Sequence, residues 1–118
     1  MMNGLTTEEK RENAYLLEQE FELFKATNDK EVVDEWALEF YWLKGKVWNK
    51  SFKDELKRLK AKIEKIKAIK SGMTQDKEFD NVLCFKTKKS DFRLNKDAIR
   101  LLDTKRLNML YKVVCLGY

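Results

Sequence analysis

Apolar positions recur at helical intervals through the first 71 residues and lose that rhythm afterwards. Ala14, Leu17, Phe21 and Phe24 are spaced by 3, 4 and 3 residues, which predicts a helix over about 7–26 with one apolar stripe. Thr6-Thr7-Glu8-Glu9 opens it as a capping box, the Thr6 hydroxyl accepting from the Glu9 amide while the Glu9 carboxylate reaches back. Thr27-Asn28-Asp29 interrupts the pattern, and Asn28 followed by Glu31 predicts a second start, giving a helix over about 29–48.

This second helix carries Val33, Trp36, Phe40, Leu43 and Val47 as a core stripe, yet Val32, Leu38, Tyr41, Trp42 and Trp48 occupy other faces. All three tryptophans lie within 13 residues. A helix apolar nearly all round is either the centre of a bundle or exposed at an interface, and both alternatives stay open here. On the second, Trp36, Tyr41, Trp42 and Trp48 are the anchors for a protein partner or for a homodimer.

A third helix begins at Ser51, with Asp54 three residues on, and runs to Gly72 as a C′ residue. Phe52, Leu56, Leu59, Ile63 and Ile66 keep a strict 4-3-4-3 spacing. Off that seam stand Lys53, Lys57, Arg58, Lys60, Lys62, Lys65, Lys67 and Lys70, opposed only by Asp54, Glu55 and Glu64. Such a rod, roughly 30 Å long, either packs its charges on acidic helices or lies along phosphates or an acidic groove.

Met73 to Asp80 reads as a polar linker. Val82–Thr87 is β-rich, and Phe92-Arg93-Leu94 is expected to pair with it as a hairpin turning at Lys88–Asp91. Asn95 caps a helix running through Ala98, Ile99, Leu101 and Leu102 to about Thr104. In residues 107–116 the Val113-Val114-Cys115 run favours a buried strand, although Leu102, Met109 and Val113 also suit a helix. The expected fold class is α+β in a single domain. Three antiparallel helices (residues 6–71) precede a small strand–helix–strand part (80–118).

Charge divides along the chain as sharply as the pattern does. Residues 1–49 hold 6 Lys+Arg against 11 Asp+Glu, and residues 50–118 hold 19 against 9. The basic half, with Lys57, Arg58, Lys60, Lys62, Lys65 and Lys67 on the third helix and Lys86, Lys88, Lys89, Arg93, Lys96, Arg100, Lys105 and Arg106 beyond it, suits a polyanion. Phe85 and Phe92 are interleaved with this cluster as stacking faces or as core. The acidic front (Glu8, Glu9, Glu12, Glu18, Glu20, Glu22, Asp34, Glu35 and Glu39) either mimics a phosphate row or neutralises the third helix.

The 118 residues contain no His, no Pro and four Gly, which excludes Ser-His-Asp, Cys-His and HExxH chemistry and any glycine-rich phosphate loop within them. No metal, no cofactor and no enzymatic activity are expected. Cys84 and Cys115 lack metal or redox spacing and are expected as buried free thiols. Met1–Glu9 lacks the apolar core of a signal peptide and no run approaches the ~20 apolar residues of a membrane span, so cytoplasmic residence without membrane contact is the expectation.

Lys89-Ser90-Asp91-Phe92-Arg93-Leu94-Asn95-Lys96-Asp97-Ala98-Ile99, following a charged coiled-coil helix, resembles the short segment after the helical hairpin of phage Gam-type host-nuclease inhibitors. The likeness covers about a tenth of the chain, and the tail after Asp103 departs from the family pattern. It implies a DNA-end-binding or nuclease-inhibiting role without assigning individual residues. Size, lysine-rich composition and dense aromatics are similar in style to small phage anti-defence proteins, anti-CRISPRs among them. The expected function is a non-enzymatic inhibitor or accessory factor of a host nuclease or CRISPR ribonucleoprotein. Direct sequence-tolerant binding of DNA or RNA, or a coiled-coil dimer of structural purpose, are the alternatives.

Overall fold

A computed structural model describes residues 5–86 and 91–117. The fold is α+β: helices α1 (Thr7–Thr27), α2 (Lys30–Lys44) and α3 (Phe52–Ser71) precede strands β1 (Thr74–Gln75), β2 (Val82–Lys86) and β3 (Asp91–Asn95), then helices α4 (Lys96–Ile99) and α5 (Thr104–Cys115). Two compact units, residues 1–60 and 61–118, divide inside α3 and not at the Met73–Asp80 segment.

In the first unit α1 starts as its sequence dictates. The Glu9 amide donates to Thr6 Oγ1 at 3.1 Å and the Thr6 amide donates to Glu9 Oε1 at 3.0 Å, a reciprocal cap that contributes about 1 kcal/mol. At the other end Asn28 does not open α2. Its Nδ2 turns back to the Phe24 carbonyl at 2.9 Å, and Asp29 takes the N-cap position without a side-chain bond. The stripe Trp36, Phe40 and Leu43 is buried, and Phe40 packs on Phe21 and Phe24 with ring centroids 5.0 and 5.1 Å apart.

Helix α2 ends at Lys44, earlier than the periodicity predicts, because Gly45 donates to the Trp42 carbonyl at 3.2 Å and the chain turns. Val47 and Trp48 therefore lie in the connection to α3. Asn13, a buried polar residue of α1, donates from Nδ2 to the Val47 carbonyl at 2.8 Å and satisfies a backbone acceptor that burial would otherwise strand. Ser51 bonds Glu55 at 3.2 Å in place of capping through Asp54. Phe52 and Leu56 complete the buried set of this unit with Leu17 and Phe24.

The second unit buries Ile63, Ile66 and Ile69 of α3 together with Met73, Leu83, Ile99 and Leu107. Its sheet has the order β1-β2-β3, both pairs antiparallel. The expected hairpin forms with Leu83 opposite Leu94, Cys84 opposite Arg93 and Phe85 opposite Phe92. Strand β1 sits inside the segment read as linker. It is only two residues long, pairs Thr74 with Cys84 and Gln75 with Leu83, and carries no apolar signal.

Asn95 caps α4 by accepting from the Asp97 amide at 2.8 Å, but the helix stops at Ile99. Asp103 then accepts from the Arg106 amide at 2.8 Å and starts α5. Residues 107–115 are thus helix and not the strand their Val-Val-Cys run suggests. The cap, with Leu107, Leu110, Tyr111 and Val114 at helical spacing, satisfies the backbone within the segment. Among the described residues no helix is long and apolar enough to cross a membrane.

Gly72 follows α3 without a positive φ, so it is not a left-handed cap. Its role is close approach: a Cβ there would stand 2.5 Å from Val114 Cγ1, on a stiff β-branched side chain. Gly72→Ala is expected to destabilise the chain by about 1–3 kcal/mol in urea titration, and adding Val114→Ala is expected to recover part of that loss.

Candidate binding surfaces

Outward aromatics dominate the first unit. Because Phe40 faces α1, Tyr41 one residue on and Trp42 two residues on are turned about 100° and 200° around the helix axis. Tyr41 is 71% exposed and Trp42 56%, and Trp48 in the following turn is 54% exposed. Trp36 does not belong with them. It is 2% exposed, since its place one turn before Phe40 on the core stripe directs it inward, and the expectation that it anchors a protein interface fails.

Lysines attend two of the exposed rings. Lys44 Nζ lies 5.8 Å from the Tyr41 ring centroid and Lys46 Nζ 4.5 Å from that of Trp42, both within cation–π range. Between α1 and α2 runs an open groove of about 760 Å³ whose floor includes Ala14, Leu17, Phe21 and Phe40, with Glu18 on one wall and Tyr41 and Lys44 on the other.

The basic side chains of α3 fall into two classes. In the first unit Lys57 and Arg58 are exposed and make no bond to any described residue, whereas Lys60 pairs with Glu20 at 2.9 Å. In the second unit Lys62 is half-buried without a partner among the described residues. Lys65 donates to Asn108 Oδ1 and lies 5.6 Å from the Tyr111 ring centroid, and Lys67 approaches Glu64 at 4.0 Å. The acidic front reaches this helix through Lys60–Glu20, and Lys53, with Lys50 in the preceding turn, acts on Glu9. The Glu9 carboxyl is held below its ordinary value first by the Thr6 amide, then by the Thr6 hydroxyl, with the two lysines adding to this.

Beyond α3 the predicted basic residues differ in their surroundings. Lys86 is exposed and Lys96 half-buried, the ammonium groups of both without partners among the described residues, and Arg100 is half-buried and engaged. Lys88 and Lys89 lie outside the described residues. Arg93 turns its guanidinium to the Asp76 carboxylate, whose side chain is only 9% exposed. Phe85 is half-buried, while Phe92 is 41% exposed.

Asp76 is the polar centre that spacing did not reveal. It accepts from the Glu78 and Phe79 amides at 2.8 and 3.0 Å in an Asx turn, and Cys84 Sγ donates to it at 3.4 Å. The one sequence signal was an Asp opening a short polar turn before a strand. The Glu78 amide, followed by the Phe79 amide, the Cys84 thiol and Arg93, holds its carboxyl below the ordinary 3.8. Burial, then the Asp76 carboxylate, pushes the Cys84 thiol up. A hollow of about 700 Å³ lies here, lined by Gly72, Thr74, Asp76, Cys84, Phe85 and Arg93. Its polar groups are turned on one another, so the arrangement clasps the β1–β2 turn and offers no activated nucleophile. Cys84 is half-buried and Cys115 exposed, so the expectation of two buried thiols fails at Cys115.

No protein-family model matches the chain, and no curated protein or solved structure shows a significant match to it.

A depressed folded-state carboxyl contributes stability that is complete above the unfolded value and lost as pH falls through the folded one. Asp76→Asn is therefore expected to lower the urea midpoint at pH 7 and to narrow the gap to wild type towards pH 3. For the thiols, a maleimide at pH 7.5 should modify Cys115 well before Cys84 in the folded chain, as peptide mapping can show.

Proposed function

We propose that this chain is a non-enzymatic binding protein, an inhibitor or accessory factor of a nucleic-acid-processing machine such as a nuclease or CRISPR effector. The observation that carries this reading is the pair Trp42 and Trp48, each more than half exposed in one unit. Covering half of a tryptophan surface is worth roughly 2–3 kcal/mol, and such rings are the usual anchors of protein interfaces. Helices α1 and α2 carry ten carboxylates against five cations, a net charge that disfavours phosphate and suits a protein partner. Lys57 and Arg58, which no described carboxylate neutralises, supply the complementary contact to nucleic acid carried by that partner.

Those two residues also favour a second reading, direct binding of DNA or RNA by the chain alone. The two separate by salt. A direct binder loses affinity for a generic oligonucleotide with a log–log slope of about −0.9 per phosphate neutralised on duplex DNA, and Lys57→Ala with Arg58→Ala reduces that slope. The preferred reading expects weak binding to the bare oligonucleotide, inhibition of a purified nuclease or CRISPR effector from the native host, and roughly 10–100-fold weaker capture by Trp42→Ala or Trp48→Ala with the circular dichroism unchanged. Undiminished capture by both folded variants would refute the aromatic anchor.

A further inference from the structure

The α1–α2 groove lies on a different face from Trp42 and calls for an occupant of its own. We propose that it is the interface of a two-fold dimer, filled by the same helical hairpin of a second copy. Leu38 and Tyr41 stand along its edge 74% and 71% exposed. From Ala14 to Lys25 the groove extends for about 16 Å of helix, three turns, the length over which helices pack in bundles.

Charge selects the occupant. On the α1 wall Glu22 is already paired with Lys25 at 2.7 Å, whereas Glu18 makes no bond to any described residue. On the α2 wall the single cation is Lys44, over Tyr41. The helices are antiparallel, and the Phe21–Phe40, Phe24–Phe40 and Asn13–Val47 contacts set their register. That register places Glu18 and Lys44 at the same height on opposite walls, yet they form no ion pair within one copy.

A two-fold axis along the groove preserves height and exchanges the walls, so α1 of each copy lies across α2 of the other. Glu18 of each copy then meets Lys44 of the other, twice, while Leu38 and Tyr41 are covered by the facing α1. The pairing is self-complementary because the two charges are displaced across the axis and not along it. A foreign helix has no such constraint built into this chain.

The test is sedimentation of the full chain from ~1 μM to ~1 mM, with circular dichroism as the check on folding. Wild type is expected to form a dimer. Glu18→Lys and Lys44→Glu are each expected to weaken it roughly tenfold or more by placing like charges face to face in two symmetric positions, and the combined variant is expected to recover the association. A monomer throughout the range overturns the proposal, as does a dimer unmoved by either single reversal or one the combined variant fails to restore. Should a reversal unfold the chain, Glu18→Gln carries the same test with a smaller shift in the same direction. None of these outcomes depends on a nucleic-acid machine, so failure of the dimer leaves the proposed function standing, and the converse holds.

Discussion

Phe40 wedged against Phe21 and Phe24 is the contact on which the first unit depends. It sets α2 at a fixed rotation against α1, and 3.6 residues per turn then decide every other side chain of that helix. Trp36 and Leu43 follow Phe40 inward. Leu38, Tyr41 and Trp42 are sent outward by the same geometry, and the unit buries the first set while leaving the second to water. The inward stripe supplies stability, and the outward set leaves large rings in water.

Electrostatics assigns work to the two halves of the sequence. The first half is acidic in sum, yet its exposed rings carry cations of their own, Lys44 over Tyr41 and Lys46 over Trp42. On α3 one strong ion pair, Lys60–Glu20, ties a lysine to the front, and exposed pairs of this kind contribute at most about 1 kcal/mol. Lys57 and Arg58 on the same helix are left to solvent. The second unit spends Arg93 on Asp76 and Lys65 on Asn108, so its cations serve its own folding more than the raw charge count implies.

What was legible in the sequence was what local periodicity controls. The Thr6–Glu9 box and the Asn95 cap each depend on residues within one turn of one another and form as expected. The Phe52–Ile66 spacing buries Phe52, Leu56, Ile63 and Ile66, while Leu59 is only half-buried. What escaped depends on partners far apart or on the backbone alone. Arg93 and Asp76 are 17 residues apart, and no spacing links them. Strand β1 has two polar residues and is recruited by the β2 backbone. Val113-Val114-Cys115 carries β-branched residues that argue for strand, but the Asp103 cap and the helical face built on Leu107 overrule them. Among the candidate site residues, periodicity separated Trp36 from Tyr41 and Trp42 correctly wherever the core stripe was followed; grouping the tryptophans by type alone put Trp36 on the wrong side.

The division of aromatics into an inward and an outward set is measured most directly by hydroxyl-radical footprinting of the dilute free chain, read tryptophan by tryptophan. The account predicts rapid oxidation of Trp42 and Trp48 and protection of Trp36 until the chain unfolds. Protection of Trp42 and Trp48 together, or oxidation of Trp36 at the same rate as theirs, would contradict it.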